Sequence, residues 1–140
     1  MYTETLKPLE EFIPVVESFA GNAFDQEEAP KYLSAIQTFL DKIGGKAFVP
    51  VVVEVEGGVG HGHLGKMMSD TLFVALPYIG GTLPSLVNQT EKEMYRWLLD
   101  LYADEKDVIE KDHFTASPYT KYTNVDIIPD NMILVRLWWD

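Results

Sequence analysis

A single apolar stripe is the feature that most constrains how this chain can fold. Between Pro30 and the pair Gly44-Gly45, apolar residues recur at the spacing of one side of an α-helix: Tyr32, Leu33, Ile36, Phe39, Leu40 and Ile43. Proline suits the first turn of a helix, and glycine suits its end. The stripe therefore predicts an amphipathic helix that must bury one side against another layer of the protein.

Strands are predicted on the C-terminal side of this helix. Phe48–Glu56 is rich in valine and alternates in the way expected of a strand with one partly solvated face. Pro50 indicates an edge position or a bulge near the start of that strand. Thr71–Leu76 predicts a second strand, and the glycine-rich segment Gly57–Gly65 lies between the two.

Two further helices are predicted, one on each side of this region. Pro8–Ala20 has helical apolar spacing, with a kink or a later start imposed by Pro14. A helix from Thr90 to about Lys111 begins with a capping box, in which Thr90 is the N-cap and Glu93 reaches back to it.

The last segment predicts a hairpin. Lys121–Ile128 and Met132–Trp139 flank Pro129-Asp130-Asn131, which suits a three-residue turn closed by a left-handed asparagine. The order is then roughly α-α-β-β-α-β-β. We expect an α+β fold, with a largely antiparallel sheet and helices packed on one face, and a single globular domain over residues 1–140.

Charge limits the partners of the chain. It has 22 acidic residues against 11 basic ones, a formal net charge of −11. Phosphate backbones and anionic membranes should repel such a chain, so direct nucleic-acid or membrane binding is not expected. The alternatives are a basic protein partner, a role as a decoy for a polyanion, or a charge that serves solubility alone.

Cysteine content and the N-terminus indicate a location. The chain has no cysteine, which excludes disulfides, thiolate metal sites and cysteine nucleophiles. Its first residues lack the basic start and apolar run of a secretory signal, and no apolar run has the roughly 20 residues that span a bilayer. We expect a cytoplasmic protein.

The glycine-rich segment partly matches a phosphate-binding loop. Gly60–Lys66 fits the first seven positions of that motif, but the eighth is Met67 instead of a hydroxyl residue. The strand–helix context is also missing. The segment is better interpreted as a flexible connection between two strands.

Histidines offer a candidate metal site. His61 and His63 are two residues apart, so an extended backbone would point both imidazoles the same way. With His113 or a carboxylate as third ligand, they could hold a divalent metal. The competing interpretation is a solvent-exposed turn of glycine and histidine.

Candidate partner-binding residues come from the acidic helix and the C-terminus. Asp100, Asp104 and Asp107 would share one side of the predicted third helix, as an acidic docking face or as ordinary solvated surface. Trp138 and Trp139 end an apolar strand, where they would either anchor a partner or lie buried under helices.

The leading hypothesis is a non-enzymatic module that docks on a larger basic protein, as an inhibitor, immunity-type protein or adaptor. The composition is similar to that of compact acidic antagonists encoded by phages, and no motif for a catalytic nucleophile is present. A symmetric homo-oligomer joined through the terminal hairpin is the second hypothesis. A metal-dependent enzyme that uses the histidines is the third.

Overall fold

The computed structural model describes residues 2–20, 24, 27–52, 67–77, 96–97, 100–101 and 103–139. The strands are β1 (Tyr2–Pro8), β2 (Val16–Phe19), β3 (Lys46–Val52), β4 (Met67–Ser69), β5 (Thr71–Pro77), β6 (Glu105–Ile109), β7 (Thr120–Thr123) and β8 (Met132–Trp138). The helices are α1 (Leu9–Phe12), α2 (Glu28–Ile43) and α3 (His113–Ala116), with 3-10 turns at Ile13–Val15 and Val125–Ile127. None of these described helices is both long and apolar enough to cross a lipid bilayer.

Six of the strands form one mixed sheet in the order β6-β8-β5-β3-β1-β7. Every neighbouring pair in it is antiparallel except β1 and β7, which are parallel. The two remaining strands, β2 and β4, pair in parallel with each other. The expected α+β class with a largely antiparallel sheet is confirmed.

Both faces of the sheet are covered. On the first face, α1 and α2 pack over inward-pointing strand residues such as Val49, Val74 and Leu137. On the second face, Phe114 of α3 and Ile128 pack against Phe73. The expectation of helices on one face therefore holds for α1 and α2, while α3 and a 3-10 turn cover the other face.

The amphipathic helix predicted from the apolar stripe is α2. Its buried side consists of Ala29, Leu33, Ile36 and Leu40. Gly44 ends the helix in the left-handed conformation (φ 77°), and the N–H of Gly45 donates a 2.8 Å hydrogen bond to the carbonyl of Leu40. The two glycines therefore end the helix, as predicted, because the chain must turn sharply there to enter β3.

Pro50 lies inside β3 at a place where one neighbour has been lost. Pairing with β5 ends at Phe48, whereas pairing with β1 continues through Pro50. The carbonyl of Pro50 accepts a 2.9 Å hydrogen bond from the hydroxyl of Ser69. A missing N–H is tolerated at such a position, in agreement with the edge or bulge expected from the proline.

The N-terminal prediction was wrong over most of its length. Instead of a helix over Pro8–Ala20, the chain forms α1, a 3-10 turn that contains Pro14, and then β2. Proline removes a helical hydrogen bond and clashes with the preceding turn, so the helix ends after one turn. The preceding strand β1 was not predicted; its Leu6 is fully buried and pairs with Pro50.

The prediction of a terminal hairpin was also wrong. β7 pairs with β1 at one edge of the sheet, while β8 lies between β5 and β6. The polar strand β7 suits an edge, where the hydroxyls of Thr5 and Thr123 form a 2.7 Å hydrogen bond. The apolar strand β8 suits a position inside the sheet where both faces are covered. Asn131 does adopt the expected left-handed conformation (φ 59°), within a longer connection.

The third predicted helix stops before Lys111. Arg96, Trp97 and Asp100 are helical, but Glu105–Ile109 is strand β6. Val108 and Ile109, which continued the helical period, point to opposite faces: Ile109 packs against the core and Val108 is 74% exposed. Thr90 and Glu93 lie outside the described residues.

Candidate protein-binding edge

The candidate site is built on β6 and its neighbour β8. The two strands are antiparallel, with Glu105 opposite Trp138, Asp107 opposite Arg136 and Ile109 opposite Leu134. Side chains alternate along a strand, so Glu105, Asp107 and Ile109 share the second face of the sheet with Arg136. Val108 lies on the first face, beside the buried Val135.

One guanidinium forms hydrogen bonds with two carboxylates at this site. Nη2 of Arg136 donates hydrogen bonds of 2.6 Å to Oε2 of Glu105 and 2.8 Å to Oδ2 of Asp107. Burial lowers the pKa of Arg136, but the hydrogen bonds and charges of Asp107 and Glu105 outweigh burial and raise it above its ordinary value. The three side chains keep one uncompensated negative charge, and the carboxylates remain 52% and 54% exposed.

β6 is at the end of the sheet. Within the described part of the chain, β8 is its one strand neighbour. A strand in that position directs backbone N–H and C=O groups away from the sheet, where another strand can pair with them. Val108 adds an exposed apolar side chain to this edge.

More acidic side chains surround the edge. Glu110 and Asp112 follow β6, one on each side of Lys111, and both are exposed. At the other end of β6, Trp138 is half-buried, and its Nε1 donates a 3.3 Å hydrogen bond to Oδ2 of the exposed Asp70. The corner formed by β6 and β8 therefore combines negative charge with apolar and aromatic surface.

The predicted acidic residues lie in three different local structures. Asp100 is an exposed helical residue, Asp104 lies in the turn before β6, and Asp107 is on β6 itself. They do not share a helix face, because the helix ends before Asp104. The N–H of Asp104 donates a 2.9 Å hydrogen bond to the carbonyl of Trp138, so the structure does bring Asp104, Asp107 and Trp138 to one corner.

The two tryptophans have different environments. Trp139 is 1% exposed and packs edge-on against Phe19, with ring centroids 5.1 Å apart. The rings of Phe24 and Tyr32 also lie edge-on to Trp139. Trp139 is therefore a core residue, which corrects its assignment as a partner contact; the half-buried Trp138 remains a candidate.

The predicted metal ligands are not brought together in the part of the chain that the structure describes. His61 and His63 lie outside the described residues, as does the rest of Gly57–Gly65. His113, the first residue of α3, lies among aromatic rings, with centroids 5.6 Å from Phe114 and 6.2 Å from Tyr122. No group of three His, Asp or Glu side chains suited to a metal is found among the described residues.

Two open clefts border described helices and strands of the chain. One of about 310 Å³ borders α3 and β7 and carries the hydroxyls of Thr115, Ser117 and Thr120. The Ser117 hydroxyl accepts a 3.2 Å hydrogen bond from the N–H of Thr120, and the Thr115 hydroxyl donates one of 3.1 Å to the carbonyl of Asp112. These hydroxyls stabilise local turns. The second cleft, about 330 Å³, lies between α1, α2 and the start of β3.

Sequence reasoning missed three residues of the edge: Glu105, Val108 and Arg136. A signal was present, because Arg136 interrupts an otherwise apolar strand and needs a partner there. Glu105 and Asp107 are two residues apart, and this is the spacing at which two carboxylates on one strand can reach the same cation. Comparison with family models, curated proteins and solved structures finds no match to this chain.

Proposed function

We propose that this chain is a non-enzymatic protein-binding module whose acidic corner, formed by β6 and β8, docks on a basic partner protein. The observation that carries the proposal is the pairing of Glu105 and Asp107 with a single cation, Arg136, at the exposed end of the sheet. Inhibitors, immunity-type proteins and adaptors are the classes that this activity fits, and we place the interaction in the cytoplasm.

Charge supports a basic partner. The net charge of −11 creates a negative potential around the whole chain, which speeds the approach of a positively charged protein. The corner contributes locally through Glu110 and Asp112 in addition to the incompletely neutralised carboxylates. Since these side chains are exposed, added salt should weaken the interaction by screening.

Apolar surface at the corner supports protein binding over simple ion binding. Val108 is 74% exposed, and Trp138 is half-buried beside the acidic side chains. Binding energy in protein interfaces comes mainly from a few apolar or aromatic anchors surrounded by polar residues. Trp138 lies next to Asp70 and Glu105 on the second face of the sheet, and Val108 follows Asp107 with its side chain on the first face.

The test is affinity capture from host lysate at low salt, with the bound protein identified by mass spectrometry and its affinity then measured with purified components. We expect one stoichiometric basic protein that is released by salt. Glu110→Lys, at the corner, should weaken its binding roughly fivefold, equivalent to about 1 kcal/mol.

Glu11→Lys is the matched control, because it makes the same change of charge at an exposed position on α1. It should change the affinity by less than about twofold. Equal losses in the two variants would indicate long-range attraction without a docking site at the corner. Recovery of no salt-released partner would contradict the proposal, and recovery of this chain alone would favour self-assembly.

A further inference from the structure

The position of β6 in the sheet points to a particular mode of docking. Resting on the proposed function, we infer that an extended basic segment of the partner adds to β6 as a seventh strand of the six-stranded sheet. Strand addition of this kind takes its affinity from main-chain hydrogen bonds and its specificity from alternate side chains.

The edge has the geometry that strand addition needs. β6 is a regular strand of five residues, held in register on its inner side by β8. Hydrogen bonding between Arg136 and both Glu105 and Asp107 fixes two of its side chains. A strand that is already ordered loses little conformational entropy when a partner segment pairs with it.

The side chains of β6 specify the occupant. Glu105 and Asp107 lie on one face and Lys106 and Val108 on the other, so an added strand would place alternate residues beside the carboxylates and beside a lysine and an exposed apolar group. Lysine or arginine at the first set of positions and a β-branched residue at the second set would be complementary. The inferred ligand is therefore an extended segment in which basic and apolar residues alternate.

Charge also argues against a second copy of this chain as the occupant. Pairing β6 with β6 of another copy would bring Glu105 and Asp107 of both copies to adjoining strands, where like charges are destabilising. Each Arg136 already contacts two carboxylates of its own chain. Acidic side chains on an edge strand oppose self-association, whereas a basic segment relieves their repulsion.

The experiment uses the full chain and a capped peptide of alternating lysine and valine, titrated by calorimetry at low salt. A second peptide of the same sequence carries N-methyl groups on alternate residues, which removes backbone donors along one edge and keeps the charge. We expect the first peptide to bind and to protect the amides of residues 105–109 from hydrogen exchange. N-methylation along the pairing edge should weaken binding at least roughly tenfold.

Val108→Lys places a positive charge on the edge without removing a core side chain. It should also weaken binding of the unmethylated peptide at least roughly tenfold. Tyr119→Lys is the matched control: Tyr119 is 78% exposed and directly precedes β7, at the opposite edge of the sheet. It should bind the peptide within about twofold of wild type. Unchanged thermal unfolding of both variants would show that they fold.

The outcomes separate this inference from the proposed function. If the partner is captured in a salt-sensitive manner but the N-methylated peptide binds as tightly as the unmethylated one, or the two lysine variants bind the peptide alike, strand addition is wrong and the proposed function stands. The same holds if the partner binds while the alternating peptide does not. If neither the partner nor the peptide binds at low salt, the proposed function fails together with the inference.

Discussion

Asp107 and Arg136 face each other across the β6–β8 ladder, and Nη2 of the arginine donates a 2.8 Å hydrogen bond to the aspartate. The same nitrogen bonds Glu105, so the arginine joins the end strand of the sheet to its neighbour through two side chains. This relationship holds the acidic edge in place while leaving it negatively charged.

Replacing this arginine should loosen the edge more than the core. We expect Arg136→Met to lower the free energy of unfolding by about 1 kcal/mol at low salt, since the loss combines a partly exposed ion pair with repulsion between the two remaining carboxylates. Urea unfolding in low and in high salt measures the effect. The loss should shrink at high salt; an equal loss in both would assign it to packing of the arginine side chain.

Tyr32 offers a prediction about pH. Its hydroxyl is buried and has no hydrogen-bond partner within the described part of the chain, and burial raises its pKa from 10 to about 12. A buried hydroxyl without a partner is destabilising, so Tyr32→Phe should raise the free energy of unfolding by about 1 kcal/mol at neutral pH.

The sign of the alkaline effect follows from the raised pKa. The unfolded chain releases the Tyr32 proton near pH 10, whereas the folded chain holds it to about pH 12. The stability linked to this proton is thus complete below pH 10 and is lost as the pH rises to about 12. The advantage of Tyr32→Phe over wild type should therefore grow across that interval in urea titrations. A constant difference would show that the hydroxyl is accessible to solvent.

Gly44 and Gly45 should respond differently to alanine. A Cβ at Gly45 would lie 2.7 Å from Cδ2 of the fully buried Leu40 and 3.1 Å from the carbonyl oxygen of Ala75, so Gly45→Ala should cost about 2 kcal/mol through overpacking. At Gly44 there is open space but φ is +77°, so Gly44→Ala should cost about 1 kcal/mol from backbone strain. Thermal unfolding of the two variants compares them directly. The reverse order would mean that Leu40 moves aside easily.

Local sequence predicted the elements whose determinants are close together in the chain. The stripe of α2 and its glycine end form one continuous pattern of 16 helical residues and a turn, so the pattern contains its own boundaries. Thr71–Leu76 was predicted for the same reason: its apolar residues fill both faces of β5, as a strand in a sheet covered on both faces requires.

Long-range pairing decided the elements that were predicted wrongly. Glu105–Ile109 is a strand because it pairs with β8, whose Arg136 is 29 residues beyond Asp107 in the chain. β7 pairs with β1, which lies more than 100 residues earlier: Thr5 and Thr123 are separated by 118 positions. Neither relation has a local sequence pattern. The acidic corner was predicted in composition, but its location on a sheet edge required the strand order.

Trp138 and Trp139 provide the clearest separation of stability from binding. Trp139 is 1% exposed among aromatic rings, so Trp139→Ala should lower the free energy of unfolding by roughly 3–5 kcal/mol. Trp138 is half-buried and donates its indole hydrogen bond to Asp70, so Trp138→Ala should cost only about 1 kcal/mol. Urea unfolding followed by circular dichroism measures both losses.

The same pair tests the docking corner in binding assays. Because Trp138 lies beside Glu105 on the ladder, its truncation should reduce affinity for the basic partner by roughly tenfold while most molecules remain folded. The milder Trp139→Phe keeps an aromatic ring in the core and should leave that affinity within about twofold. The opposite result, with binding sensitive to Trp139→Phe and insensitive to Trp138→Ala, would move the docking surface away from the β6–β8 corner, because Trp139 reaches the partner only if the core opens.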